Sequence, residues 1–206
     1  MIDVTRGTLL LDSVREKKLE VDFRNIITAL YLYQDKYRAI PGDDANADKH
    51  LSTGLAIVGN GNGHIEGRWN DAATASEAAN VWLHIRLARL LEGSTDVAAA
   101  YYFPVNALGS PMGMQMGQSN VNSSPIKNAS GVGLNGAYII CSRGIPGRLV
   151  QTLDLKMDDG NPSTSSMMAT LDTGAAYALD APAATVGTGA ATDINPDSKY
   201  IVCMAT

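Results

Sequence analysis

Few of the residues able to do chemistry stand at spacings that chemistry requires. Asp154, Asp158 and Asp159, in LDLKMDDGNPST, offer three carboxylates, and paired carboxylates are a common means of moving protons in acid/base catalysis. Two of the three are adjacent and precede Gly160, so turn formation accounts for them, since Asp side chains bond nearby backbone amides. His50, His64 and His84 are far apart and share no metal spacing, and no Ser or Cys stands in a nucleophile-elbow motif. No catalytic residue is assigned, and the chain is not expected to be an enzyme.

Candidate ligand sets fare little better. Asp44, Asn46 and Asp48 have the first three spacings of a calcium loop, but Lys49 replaces its glycine and Leu55 its closing glutamate. A looser calcium site would use these residues, or Asn60, Asn62 and Glu66; otherwise no metal or cofactor is expected. Met112, Met114 and Met116 could hold Cu(I) through soft thioethers, yet the alternation equally describes a strand with one apolar face. GVGLNG at 131–136 matches G-x-G-x-x-G, but loop precedes it and a strand follows, the reverse of a dinucleotide site. Asn122 and Asn128 lie in N-x-S sequons.

Cys141 and Cys203 end the apolar runs AYIIC and YIVC. Neighbouring strands would bring them within bridging distance, and a bridge would place the chain in an oxidising compartment. Two buried free thiols are the alternative.

Charge excludes one class of partner. The 206 residues carry a formal net charge of −5 and 18% charged residues, with no basic stripe of the kind that nucleic acid requires. The run Arg15–Lys18 is interrupted by Glu16 and flanked by Asp12, Glu20 and Asp22, the pattern of a solvated helix face. No window approaches the ~18 consecutive apolar residues of a membrane span.

The elements that must carry these residues begin with a long helix. From Asp3 to about Arg38 there is no proline, and Leu19, Phe23, Ile26, Leu30, Tyr33 and Tyr37 recur at spacings of 4 and 3, a single apolar seam. Continued backwards the seam meets Glu16 and Asp12, so the helix is expected to pack on a core from Leu19 onward and to project before it. Leu9, Leu10, Leu11 and Val14 would then contact something else. Ile40-Pro41-Gly42 should end the helix. A second helix follows, with Thr74 and Glu77 in capping-box spacing and Gly93 beyond its end. Strands are expected at 137–141, 167–171 and 200–204, with a short helix opened by Pro146. Residues 104–136 read as loops or short strands. The fold class is α+β: a long N-terminal helix (1–40) on a globular head (41–206) with a small antiparallel sheet, a second helix and long loops.

YLYQDKYRAIPGDD at 31–44, at the end of a long N-terminal helix, resembles the region that follows the membrane helix in type IV pilin-like proteins and pseudopilins. GNGNGHIEG at 59–67, the helix carrying Trp82 and His84, and LDLKMDDGNPST after a Cys-containing strand agree with that family in order. The resemblance implies a structural subunit of a type IV pilus or type II secretion-like pseudopilus. Its partners would be sister subunits and its compartment the periplasm or cell surface. It implies a precursor anchored in the inner membrane by a leader and apolar helix upstream of Ile2, which this sequence lacks, so that residues 2–38 are the outer part of the stem. The cysteines fit the disulfide-bounded loop of many pilins. The alternative expectation is a periplasmic or surface binding domain for a carbohydrate or protein, marked by a pocket lined by Trp69, Trp82 or tyrosines and distant from the disulfide.

Overall fold

The computed structural model describes residues 2–51, 54, 56–72, 76–117, 124–174 and 181–206, with side chains from Leu10 onward. Thr74 and Asn122 lie outside the described residues, as does the side chain of Leu9. The fold is α+β. Helix α1 (Ile2–Tyr37) is 36 residues long, about 54 Å at 1.5 Å per residue. It is followed by α2 (Ala47–Leu51), α3 (Glu77–Leu87), β1 (Met112–Met116), β2 (Ile126–Lys127), β3 (Tyr138–Pro146), α4 (Gly147–Met157), β4 (Met167–Leu171), β5 (Ala181–Pro182) and β6 (Lys199–Ala205).

The principal sheet has the order β1-β3-β6-β4 and is antiparallel throughout. Both of its faces are covered, which is why AYIIC and YIVCMA are almost uninterruptedly apolar rather than alternating. Tyr138, Ile140, Val202 and Met204 face α1, α3 and α4 in the main core; Ile139, Cys141, Ile201 and Cys203 face the opposite layer, under Trp69, Ile126 and Leu134. Period-2 alternation thus sorts one strand into two cores. Register pairs Cys141 with Cys203 on adjacent strands, and the two form a disulfide.

On α1, Leu19, Phe23, Ile26, Leu30 and Tyr33 are buried, with Tyr37 half-buried at the end. The helix stops earlier than Pro41 demands. Arg38, at φ 54°, turns left-handed while its N–H still bonds Gln34 O, which closes the last turn. The cap of α3 is Ser76, whose Oγ accepts from Ala79 N, and Glu77 is the first helical residue instead of the third, where a capping box would place it. At its other end the helix finishes at Leu87, with Arg89 at φ 61°, well short of Gly93. The Met112–Met116 run is a strand, with Met112 and Met114 buried in the main core.

The expectation that α1 projects free before Leu19 is corrected. Helix α4 runs beside it, and Arg148 Nε donates to Asp12 Oδ2 at 2.7 Å. One turn on, Lys156 Nζ lies 3.0 Å from Glu16 Oε1, an ion pair by distance, and Glu16 is buried. Acidic residues that looked like solvated surface therefore extend the grip on the head by about two turns. They do so through charge, which an apolar seam cannot reveal.

Candidate functional site

Two faces of α1 differ in what they meet. At 100° per residue, Leu19, Phe23, Ile26, Leu30 and Tyr33 fall within about 80° of one another, the face sunk into the head. Leu10, Val14, Val21 and Leu32, at spacings of 4, 7 and 11, fall within about 40° of one another and roughly opposite that seam. All four are exposed, at 70%, 46%, 51% and 49%. Leu11 is also exposed but sits off this line. Leu32 with Asn25 and Thr28 walls a groove of about 750 Å³ whose far side is the end of α3 with Arg89 and Leu90. Lys17 and Lys18 interrupt the stripe. Of the expected contact residues, Leu10, Leu11 and Val14 are exposed. Val21 and Leu32 were missed, although the 4, 7, 11 spacing was present in the sequence.

The turn after α1 is built from its own residues. A Cβ on Gly42, at φ +93°, would sit 2.5 Å from Glu77 O, so this position accepts only glycine without displacing α3. Its N–H donates to His84 Nδ1 at 2.9 Å, which leaves His84 Nε2–H to donate to Ile57 O at 2.6 Å. Burial holds this imidazole below its ordinary pKa, in keeping with the neutral tautomer that those partners need. Asp43, also buried, accepts from Gly61 N (2.7 Å) and Asn62 N (3.1 Å) through Oδ1 and from Gly63 N (2.8 Å) through Oδ2. The Gly59–Gly63 run is therefore wrapped round a carboxylate, and a Cβ on Gly59 would lie 2.3 Å from the Asp43 carbonyl carbon.

Asp44 faces the other way. Oδ2 accepts from Tyr33 Oη at 2.7 Å and lies 2.6 Å from His50 Nδ1, and Oδ1 accepts from Asn46 N at 2.9 Å. Burial by itself would raise its pKa; the bonds from His50, Tyr33 and Asn46 N reverse that and hold it below the ordinary carboxylate value. Asp44 thus points into the head, and Asn46 Oδ1 accepts from Lys49 Nζ. In the second calcium set, Asn60 and Asn62 donate their amides to the two oxygens of Glu66, at 3.0 and 2.6 Å.

Glu77 stands behind that set, accepting from Asn60 N at 2.9 Å and Glu66 N at 3.2 Å. Burial and the neighbouring Glu66 carboxylate push Glu77 up to about 7, while Glu66 itself is lowered, so the pair keeps one proton to near neutrality. The native pKa lies above the ordinary 4.5, so stability from this group is complete below about pH 4.5 and is lost as pH rises through about 7. Urea midpoints measured from about pH 5 to pH 8 should fall with pH, and Glu77→Gln should flatten the slope. Equal slopes in the two proteins would remove the pair from this role.

The remaining candidates are placed as follows. Trp82 is fully buried in the main core. Trp69 borders a cavity of about 350 Å³ with Phe103, Pro111 and Arg143, but it packs in one cluster with Cys141 and Cys203, and Arg143 is already held by Asp172 through two hydrogen bonds. A tyrosine does wall a second cavity, of about 500 Å³, where Tyr37 stacks on His50 beside the turn after α1, in a different cluster from the cysteines. GVGLNG forms a turn at Gly131 (φ 77°) and a bridge from Gly133 to Lys127. Asp158 and Asp159 cap the turn after α4, as their position before Gly160 suggested, but Asp154 does not share that work.

No family model, curated protein or solved structure matches this chain.

Proposed function

We propose that the chain is a structural subunit that assembles into a filament through its N-terminal helix, in the manner of type IV pilins and pseudopilins, and turns over no substrate. The observation that carries this is the second apolar stripe on α1, in which Leu10, Val14 and Val21 are exposed opposite the seam that binds the head and Leu32 walls the groove beside α3. A helix needs one apolar stripe to join its own domain, and a second implies a second packing partner. The buried polar groups that might have done chemistry support a structural role: Asp43, Asp44, His84 and Arg86 use their bonds to hold loops. The disulfide fits a periplasmic or extracellular location. The partners proposed are further copies or sister subunits, with the precursor anchored in the inner membrane.

Leu10→Glu with Val14→Glu, introduced into the protein as its host makes it, tests the reading. Filaments recovered by shearing should be lost while the melting temperature of the purified chain stays within about 1 °C, since both residues are exposed in the monomer. Undiminished filament recovery would overturn it.

A further inference from the structure

Asp154 is fully buried, and no hydrogen bond of ordinary length and angle reaches either carboxylate oxygen, although Asp159 and the Gly160 N–H lie beside it. No Lys or Arg among the described residues forms an ion pair with it; Lys156, two residues on, reaches Glu16 instead. A buried, unpaired carboxylate costs several kcal/mol, and native structures rarely retain one without compensation. Here the difficulty is compounded, because Asp154, Asp158 and Asp159 each bring an oxygen to within 4.8 Å of the others.

That spacing matches a shared ion. Ligands about 2.4 Å from one calcium ion lie at most about 4.8 Å apart. The outer two carboxylates are already oriented. Asp158 Oδ1 accepts from Ser165 Oγ (3.0 Å) and Ser166 Oγ (2.9 Å), and Oδ2 accepts from Met167 N (2.7 Å). Asp159 accepts from Asn161 N and Thr164 Oγ1, both at 2.8 Å. A carboxylate has about four lone-pair positions, so these bonds leave room for a cation while fixing the group that would hold it. Burial grades from Asp154 inside, through Asp158, to Asp159 at the surface, which provides a way in from solvent.

We propose that Asp154, Asp158 and Asp159 form a binding site for a hard divalent cation, calcium being the better match, at the junction of α4 and the turn to β4. All-oxygen anionic ligands select hard cations over zinc or copper, and a site completed by water and flexible turn groups suits calcium's variable coordination more than magnesium's strict octahedron. The ion would neutralise the orphaned carboxylate and tie the end of α4, the helix whose Arg148 and Lys156 hold the stem, to the strand that follows. Assembly through α1 does not depend on it.

The test uses the whole chain stripped with a chelator at about pH 7.5, where unperturbed carboxylates are ionised. Calcium chloride at millimolar concentration should raise the melting temperature by about 5 °C and titrate calorimetrically with one site per chain, and magnesium should give a smaller rise. Asp159→Asn, at an exposed position that does not threaten folding, should reduce affinity at least tenfold. Asp154→Asn should abolish the calcium response while raising the stability of the ion-free protein, because it removes the buried charge. Absence of saturable binding to the stripped protein, an undiminished response in Asp159→Asn, or equal responses to calcium and magnesium would each overturn the assignment.

Discussion

Replacing Cys141 and Cys203 together by alanine is expected to lower the melting temperature by about 10 °C. The bridge spans 62 residues of sequence, and closing a loop of that length removes enough freedom from the unfolded chain to stabilise the native state by about 4 kcal/mol. For a chain of 206 residues each kcal/mol corresponds to about 2–4 °C. The location adds to the effect, because β3 and β6 are the two central strands and the bridge links them at a directly paired position. Both cysteines are fully buried beneath Trp69 and Met168, so the alanine pair also leaves a small void. Thermal denaturation followed by circular dichroism, with and without reductant, provides the measurement. A drop of less than about 2 °C would mean that pairing of β3 with β6 survives in the unfolded chain without the bridge.

Asp44→Ala should cost about 3 kcal/mol, against less than about 0.5 kcal/mol for Asp48→Ala four residues away. Asp44 is 2% exposed and satisfies a phenol, an imidazole and a backbone amide, whereas Asp48 is exposed. Alanine at 44 would leave Tyr33 Oη buried with no acceptor, in a side chain that belongs to the α1 seam, and would free the start of α2 from the end of α1. Tyr33→Phe removes one of the three bonds and should cost about 1 kcal/mol. Equilibrium unfolding in urea separates these values. If Asp44→Ala and Asp48→Ala prove equal, the turn after α1 is held by its glycine and by Asp43 alone.

Much of the scaffold was legible because it depends on periodicity. The seam from Leu19 to Tyr33, the strand pair carrying the cysteines, the strand at 167–171 and the helix after Pro146 all follow from which neighbours along the chain are apolar. What escaped involves partners distant in sequence. Glu16 has the same local context as an exposed residue, and only Lys156, 140 positions later, explains why it is buried. Ser76 rather than a residue two before it caps α3, because Glu77 is drawn to the amides of Asn60 and Glu66. Nothing local to the glycines at 59–63 shows that their amides close round the Asp43 carboxylate.

The aspartates show the division most plainly. Asp44 and Asp48, or Asp154 and Asp158, are the same residue type four positions apart. By itself the sequence determined that α1 is one continuous helix with a buried seam and that the two cysteines lie on apolar strands, although β3 and β6 both run on past them. Tertiary structure alone decided that the stem has a second apolar stripe left uncovered, that Asp44 is satisfied, and that Asp154 is buried without a hydrogen bond of ordinary length and angle. The reason is physical: local periodicity is set by backbone geometry acting over a few residues, whereas burial of a charge and the identity of its partner depend on which distant segment closes over it.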